Sequence, residues 1–146
     1  RVLTPQVLEQ LAPYQADHVL TMESYPASAF MSYKSGKTVP VFGRGSVYAR
    51  QDDLETDWRA LNGRNIVILR TRAPELNDYL PFFQHVDYRD FSVDGVSFHL
   101  VVGQGFRYDV YHDKVLTRIR DRHYRIPAWL PQRGCVFCER YFPELK

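Results

Sequence analysis

Asn65-Ile66-Val67-Ile68-Leu69 is the stretch on which the fold turns. Its apolar residues are consecutive, and consecutive strand residues point to opposite faces of a sheet. Both faces must then be covered, which suits a central strand of a parallel sheet with helices on each side. Upstream, His18-Val19-Leu20-Thr21-Met22 reads as another buried strand, and Thr38-Val39-Pro40-Val41-Phe42 as a strand whose proline suits an edge or irregular place. Between them Pro26 marks the first turn of a helix that Gly36 stops. Thr4 and Pro5 open a short N-terminal helix.

Downstream, Asp52 to Leu61 reads as a polar helix, with Leu54, Trp58 and Leu61 at helical spacing, and Pro74 to Phe83 as a short helix. Asp94-Gly95, between the alternating runs Gln84 to Val93 and Val96 to Val102, signals a β-hairpin. Arg107 to Arg120 reads as a last helix with Val110, Val115, Leu116 and Ile119 on one side. From Ile126 onward the prolines and Gly134 make an irregular tail. Strands alternating with helices predict an α/β fold: a three-layer, Rossmann-like domain over residues 1–125, with a mostly parallel sheet and an antiparallel hairpin edge. Residues 126–146 form a basic and aromatic tail packed on or near it.

The chain has 146 residues, 45% of them hydrophobic and 14% aromatic, enough for one domain with a real core. It begins at Arg1, which suggests a fragment or a processed product. The net charge of +2 hides an asymmetry. From Lys114 to the C-terminus eight Lys/Arg face three Asp/Glu, while residues 1–113 carry eleven against fourteen. A basic end on a mildly acidic body points to an anionic neighbour. Arg118, Arg120, Arg122 and Arg125, interleaved with Tyr124 and Trp129, are the candidate contacts for lipid headgroups or phosphate.

Gly43-Arg44-Gly45-Ser46 follows a strand, as phosphate-cradling loops do, and is the candidate ligand-binding loop. It lacks the third glycine of a dinucleotide fingerprint and the Lys-Ser/Thr of a P-loop, so a structural turn is the competing reading. The acids Asp52, Asp53, Glu55 and Asp57 read as a solvated helix start, where the helix dipole favours negative charge, rather than as a catalytic carboxylate set. The five histidines show no metal-binding spacing. Cys135 and Cys138 are the only cysteines. Their C-x-x-C spacing admits a local disulfide, two thiols or, lacking a second ligand pair, half of a metal site. A redox motif would need them at the start of a helix after a strand, whereas here they lie in a tail flanked by proline and glycine. No catalytic residue and no cofactor is expected.

The stretch Ala16 to Tyr33, with its Ser28-Ala29-Phe30-Met31-Ser32-Tyr33 helix face, then Val39-Pro40-Val41, then Gly63-Arg64-Asn65-Ile66-Val67, Phe82-Phe83 to Val86, the hairpin and Gly103-Gln104-Gly105-Phe106, resembles a known pattern. It is similar to the C-terminal, membrane-extrinsic domain of bacterial polytopic glycosyltransferases of the dolichyl-phosphate-mannose–protein mannosyltransferase type. The resemblance covers most of residues 10–112 by order of pattern. It implies a non-catalytic periplasmic domain of an inner-membrane enzyme that uses polyprenyl-phosphate-linked sugars. The partners it implies are the transmembrane portion of the same chain, the membrane surface or the lipid-linked sugar, with no nucleic acid. The domain would serve substrate or acceptor contact, or membrane docking. The alternative is a stand-alone nucleotide- or phosphate-binding α/β module.

Overall fold

A computed structural model describes residues 4–43, 52–125, 127–131 and 134–145. Helix α1 (Pro5–Leu11) precedes strand β1 (His18–Met22) and helix α2 (Tyr25–Ser35). A short helix α3 (Asp52–Glu55) and a 3-10 turn (Trp58–Leu61) lead into β2 (Asn65–Arg70). Two 3-10 turns, Leu76–Asp78 and Leu80–Phe82, then introduce the hairpin β3 (Phe83–Val93) and β4 (Val96–Phe106). At its tip Asp94 and Gly95 take positive φ values of 50° and 76°, as the Asp-Gly signal requires.

The strand order is β1-β2-β4-β3. Only β1 and β2 run parallel; β2–β4 and β4–β3 are antiparallel. The expectation of a mostly parallel, Rossmann-like sheet is therefore corrected to a mixed, mostly antiparallel one. The physical reason lies in β4. Phe98, Leu100 and Val102 are buried on one face of the sheet, while Val101 and Phe106 are buried on the other. Leu100 to Gly103 are buried without interruption, which an edge strand would not allow, so β4 pairs with β2 and pushes β3 outward. β2 is the central strand expected, but its two-sided burial specifies the interior and not the direction of its neighbours.

Both faces of the sheet are covered. On one, Val67, Leu69, Phe98 and Leu100 pack with Val7 and Leu11 of α1, Met31 of α2, and Val39. On the other, Ile66, Ile68, Val101 and Phe106 pack with an aromatic cluster centred on Phe42. The Phe42 ring lies 5.0–5.9 Å from the rings of Trp58, Tyr79, Phe82, Phe83, Phe106 and Tyr111. Each buried side chain of this size contributes roughly 1.5–3 kcal/mol of transfer free energy.

Several expected elements take other forms. Residues 38–42 make only an isolated parallel bridge, Met22 to Val41, because Pro40 donates nothing to a ladder. Its carbonyl still accepts from Met22 N–H at 3.0 Å. The helix expected over 52–61 breaks after Glu55. Asp57 restarts the chain by accepting from Arg59 N–H at 3.1 Å. Pro74 to Phe83 gives two 3-10 turns instead of a helix. The last helix runs from α4 (Tyr108–Tyr111) through a π-helical segment (His112–Leu116) into α5 (Thr117–His123). It buries Tyr111, Val115, Leu116 and Ile119.

The stretch expected to be irregular from residue 126 contains helix α6 (Val136–Tyr141), and its Phe137 and Tyr141 are buried in the core. Tyr141 accepts from Trp58 N–H at 3.2 Å and donates to the Thr56 carbonyl at 2.8 Å. Arg140 donates to the Leu54 carbonyl at 2.6 Å. These bonds hold the C-terminal helix against the segment where α3 ends and the 3-10 turn begins.

Candidate phosphate site

A cleft of about 430 Å³ opens beyond the carboxyl ends of β1 and β2. Its floor is Phe42 and Phe82, and its walls carry Glu23, Arg70, Tyr79, Lys114 and Arg118, with Gly43 at the rim. The carboxyl ends of parallel strands are where open α/β sheets usually place ligands. Here only one parallel pair is needed to build that edge.

The topology explains each position. Glu23 follows the last residue of β1 and Arg70 ends β2. Glu23 accepts from Thr71 N–H at 2.9 Å and from the Thr71 hydroxyl at 2.7 Å, and its second oxygen lies 3.6 Å from Arg70 Nε. Arg70 is therefore neutralised, and it is further fixed by a hydrogen bond to the Tyr79 hydroxyl. Burial, the main cause, raises the Tyr79 phenol above its ordinary range, so it stays protonated at neutral pH. Glu23 and Arg70 also border a second hollow of about 310 Å³, whose other walls include Met22, Pro26, Ala27, Phe30 and Leu69.

Lys114 and Arg118 form the opposite wall. They are four residues apart on one helix, and both are exposed. Neither meets a carboxylate within 4.0 Å among the described residues. Two like charges at this spacing repel by a few tenths of a kcal/mol, a cost that an anion between them would remove. Asp78 also lines the cleft, so its net charge is only slightly positive.

The two expected clusters thus meet in part. Gly43, of the loop candidates, and Arg118, of the basic candidates, line the same cleft. Gly43 N–H is turned to the Tyr111 hydroxyl at 3.1 Å. Arg44, Gly45 and Ser46 lie outside the described residues. Arg120 leaves the cleft: it pairs with Asp121 at 2.9 Å and lies over the Phe142 ring, 4.4 Å from its centre. Arg122 and Arg125 are exposed beyond α5 or at its end. Sequence reasoning missed Lys114 as a site residue, although its i−4 spacing from Arg118 was a readable signal. Arg70, Glu23 and Tyr79 could not be found without the sheet order.

The acids at 52–57 are not one solvated helix start. Asp53 is fully buried, and Asp57 is held below the usual carboxylate range chiefly by its hydrogen bond from Arg59. Cys135 and Cys138 are joined in a disulfide at the start of α6, where Cys138 N–H donates to Cys135 Sγ at 3.1 Å. The pair thus stands at a helix start in a stretch read as irregular, but α6 follows α5 with no strand between them among the described residues, so the redox arrangement is only half met. No group of three His, Cys, Asp or Glu able to hold a metal occurs among the described residues. No helix among them is long and apolar enough to cross a membrane. Compared with protein-family models, curated proteins and solved structures, the chain finds no match.

Proposed function

We propose that the cleft binds a phosphate-bearing ligand, with phosphate oxygens between Lys114 and Arg118. The observation that carries this reading is the unpartnered pair itself, one helical turn apart on the wall of a cleft at the ends of β1 and β2. Arg118 offers a planar fork of donors suited to two phosphate oxygens, and Lys114 a compact charge beside it. Arg70, already occupied by Glu23 and Tyr79, shapes the far wall and does not compete.

A free nucleotide or sugar phosphate and a polyprenyl-phosphate sugar present the same chemistry. The first source suits a stand-alone module. The second suits the extrinsic domain of an inner-membrane, periplasm-facing glycosyltransferase, the function implied by the sequence resemblance. Calorimetric titration of the 146-residue chain distinguishes them. Its arms are inorganic pyrophosphate, a nucleoside diphosphate, a hexose 1-phosphate, and a polyprenyl phosphate in neutral detergent micelles. Binding that weakens with salt, and falls about tenfold in each of Lys114→Ala and Arg118→Ala, supports the cleft; tenfold is about 1.4 kcal/mol. Binding in the micelle arm alone favours the lipid-linked source. Absence of heat in every arm at millimolar probe, or affinity indifferent to both substitutions, sinks the reading.

A further inference from the structure

The segment between Tyr124 and Phe137 does not belong to the cleft. Its two ends are clasped: the rings of Tyr124 and Phe137 stack face to face, with centroids 4.4 Å apart and planes 5° from parallel. Phe137 is fully buried, so the clasp is rooted in the core. The Cys138 sulfur lies 3.9 Å from the Tyr124 carbonyl, and the disulfide closes the adjoining turn.

What the clasp projects is apolar. A turn closed by Leu130 N–H to the Pro127 carbonyl at 2.9 Å presents Trp129, 81% exposed, followed by Leu130 at 41%. Val136, beside the clasp, is 50% exposed. Burying one large aromatic and two aliphatic side chains is favourable by area, yet the fold leaves them in water. From Arg122 to Cys138 the sequence contains three arginines and neither Asp nor Glu. Of these, Arg122 and Arg125 are described and exposed.

We propose that this clasped loop docks on an anionic lipid bilayer, with Trp129 and Leu130 entering the headgroup region and Arg122 and Arg125 on lipid phosphates. Tryptophan favours that boundary because its ring is apolar and its N–H is polar. Arginine stems lie along apolar surface while their heads stay at the phosphates. A nucleic acid fits less well: it would satisfy the arginines and could stack on Trp129, but it gives Leu130 and Val136 nothing apolar to enter. The proposal does not depend on the phosphate cleft.

Co-sedimentation of the whole chain with vesicles tests it. Equimolar phosphatidylglycerol and phosphatidylcholine at low salt should retain the chain, pure phosphatidylcholine much less. Removing Arg122 or Arg125 should weaken retention about fivefold each, the equivalent of about 1 kcal/mol per cation at an anionic surface. Of the two tryptophans Trp58 is fully buried, so a blue shift in emission on adding vesicles reports Trp129. The double variant Trp129→Ser, Leu130→Ser alters only exposed side chains, so unchanged circular dichroism should accompany its loss of retention. The idea is overturned if anionic vesicles fail to retain the chain at low salt, if the double variant is retained like the parent, or if a single-stranded oligonucleotide binds the loop while vesicles do not.

Discussion

The carboxylate of Asp53 accepts a hydrogen bond from the Trp58 indole N–H at 3.1 Å, and neither side chain has any exposure to solvent. Trp58 in turn packs on Phe42 and Tyr111, the centre of one core. Replacing Asp53 by Ala strands the indole donor in an apolar setting. The expected loss is about 1–3 kcal/mol, read from the urea midpoint. Trp58→Phe in the same background should cost little more through this bond, because the donor is gone. Equal stability of Asp53→Ala and the parent would show that the bond contributes nothing.

Gly103 sits on β4 where a Cβ would come within 2.5 Å of the Phe83 ring. Both residues are buried between strands, so the ring has little room to retreat. Gly103→Ala should destabilise the chain by about 1–3 kcal/mol. A second change, Phe83→Leu, removes the ring edge. The double variant should lose less than the two single losses added together, a coupling that thermal denaturation can measure.

Alkaline stability follows from three phenols, Tyr79 and Tyr141 buried and Tyr108 half-buried. Burial is the first cause that pushes Tyr108 up to about 12 from its ordinary 10, and it also raises Tyr79 and Tyr141. Between these values the unfolded chain ionises its tyrosines while the folded chain keeps these protonated. The unfolded state therefore binds fewer protons, and stability falls as pH rises. The urea midpoint should hold steady up to about pH 10 and decline towards about pH 12 as long as these phenols keep their protons. Tyr108→Phe should make the decline shallower. A flat profile over that span would remove the basis for this account.

The Cys135–Cys138 bridge closes a very short loop. On the chain-entropy view its removal costs about 2 kcal/mol, with the size set by loop length. Reduction with dithiothreitol, or Cys135→Ser with Cys138→Ser, should lower the urea midpoint accordingly and leave far-ultraviolet circular dichroism intact. Tyr141 and Arg140 still tie α6 to residues 54–58 without the bridge. Complete unfolding on reduction would contradict that division of labour.

The central position of β2 and the Asp94-Gly95 hairpin were legible because periodicity and turn chemistry are local. Strand direction was not, since an apolar run reports burial and not the sense of its neighbour. Leu100-Val101-Val102 carried part of the clue: three consecutive buried residues place the strand inside the sheet, while its sense relative to β2 shows only in the pairing itself. α6 was hidden by the proline and glycine around it, and only contacts with residues far along the chain give it a place. Of the cleft, Arg118 and Gly43 were visible as separate candidates. That they line one cleft depends on Gly43 N–H reaching the hydroxyl of Tyr111, on the helical run that also carries Arg118.

β3 ends the strand order, leaving one long margin of the sheet without a neighbouring strand among the described residues. His85, Asp87, Arg89 and Asp90 stand exposed along it. A strand from another copy would have to dehydrate these charges before it could zip onto the ladder. Charged side chains with no task in the cleft or the loop thus make this margin a poor template for lateral addition, the usual way that an edge strand is blunted.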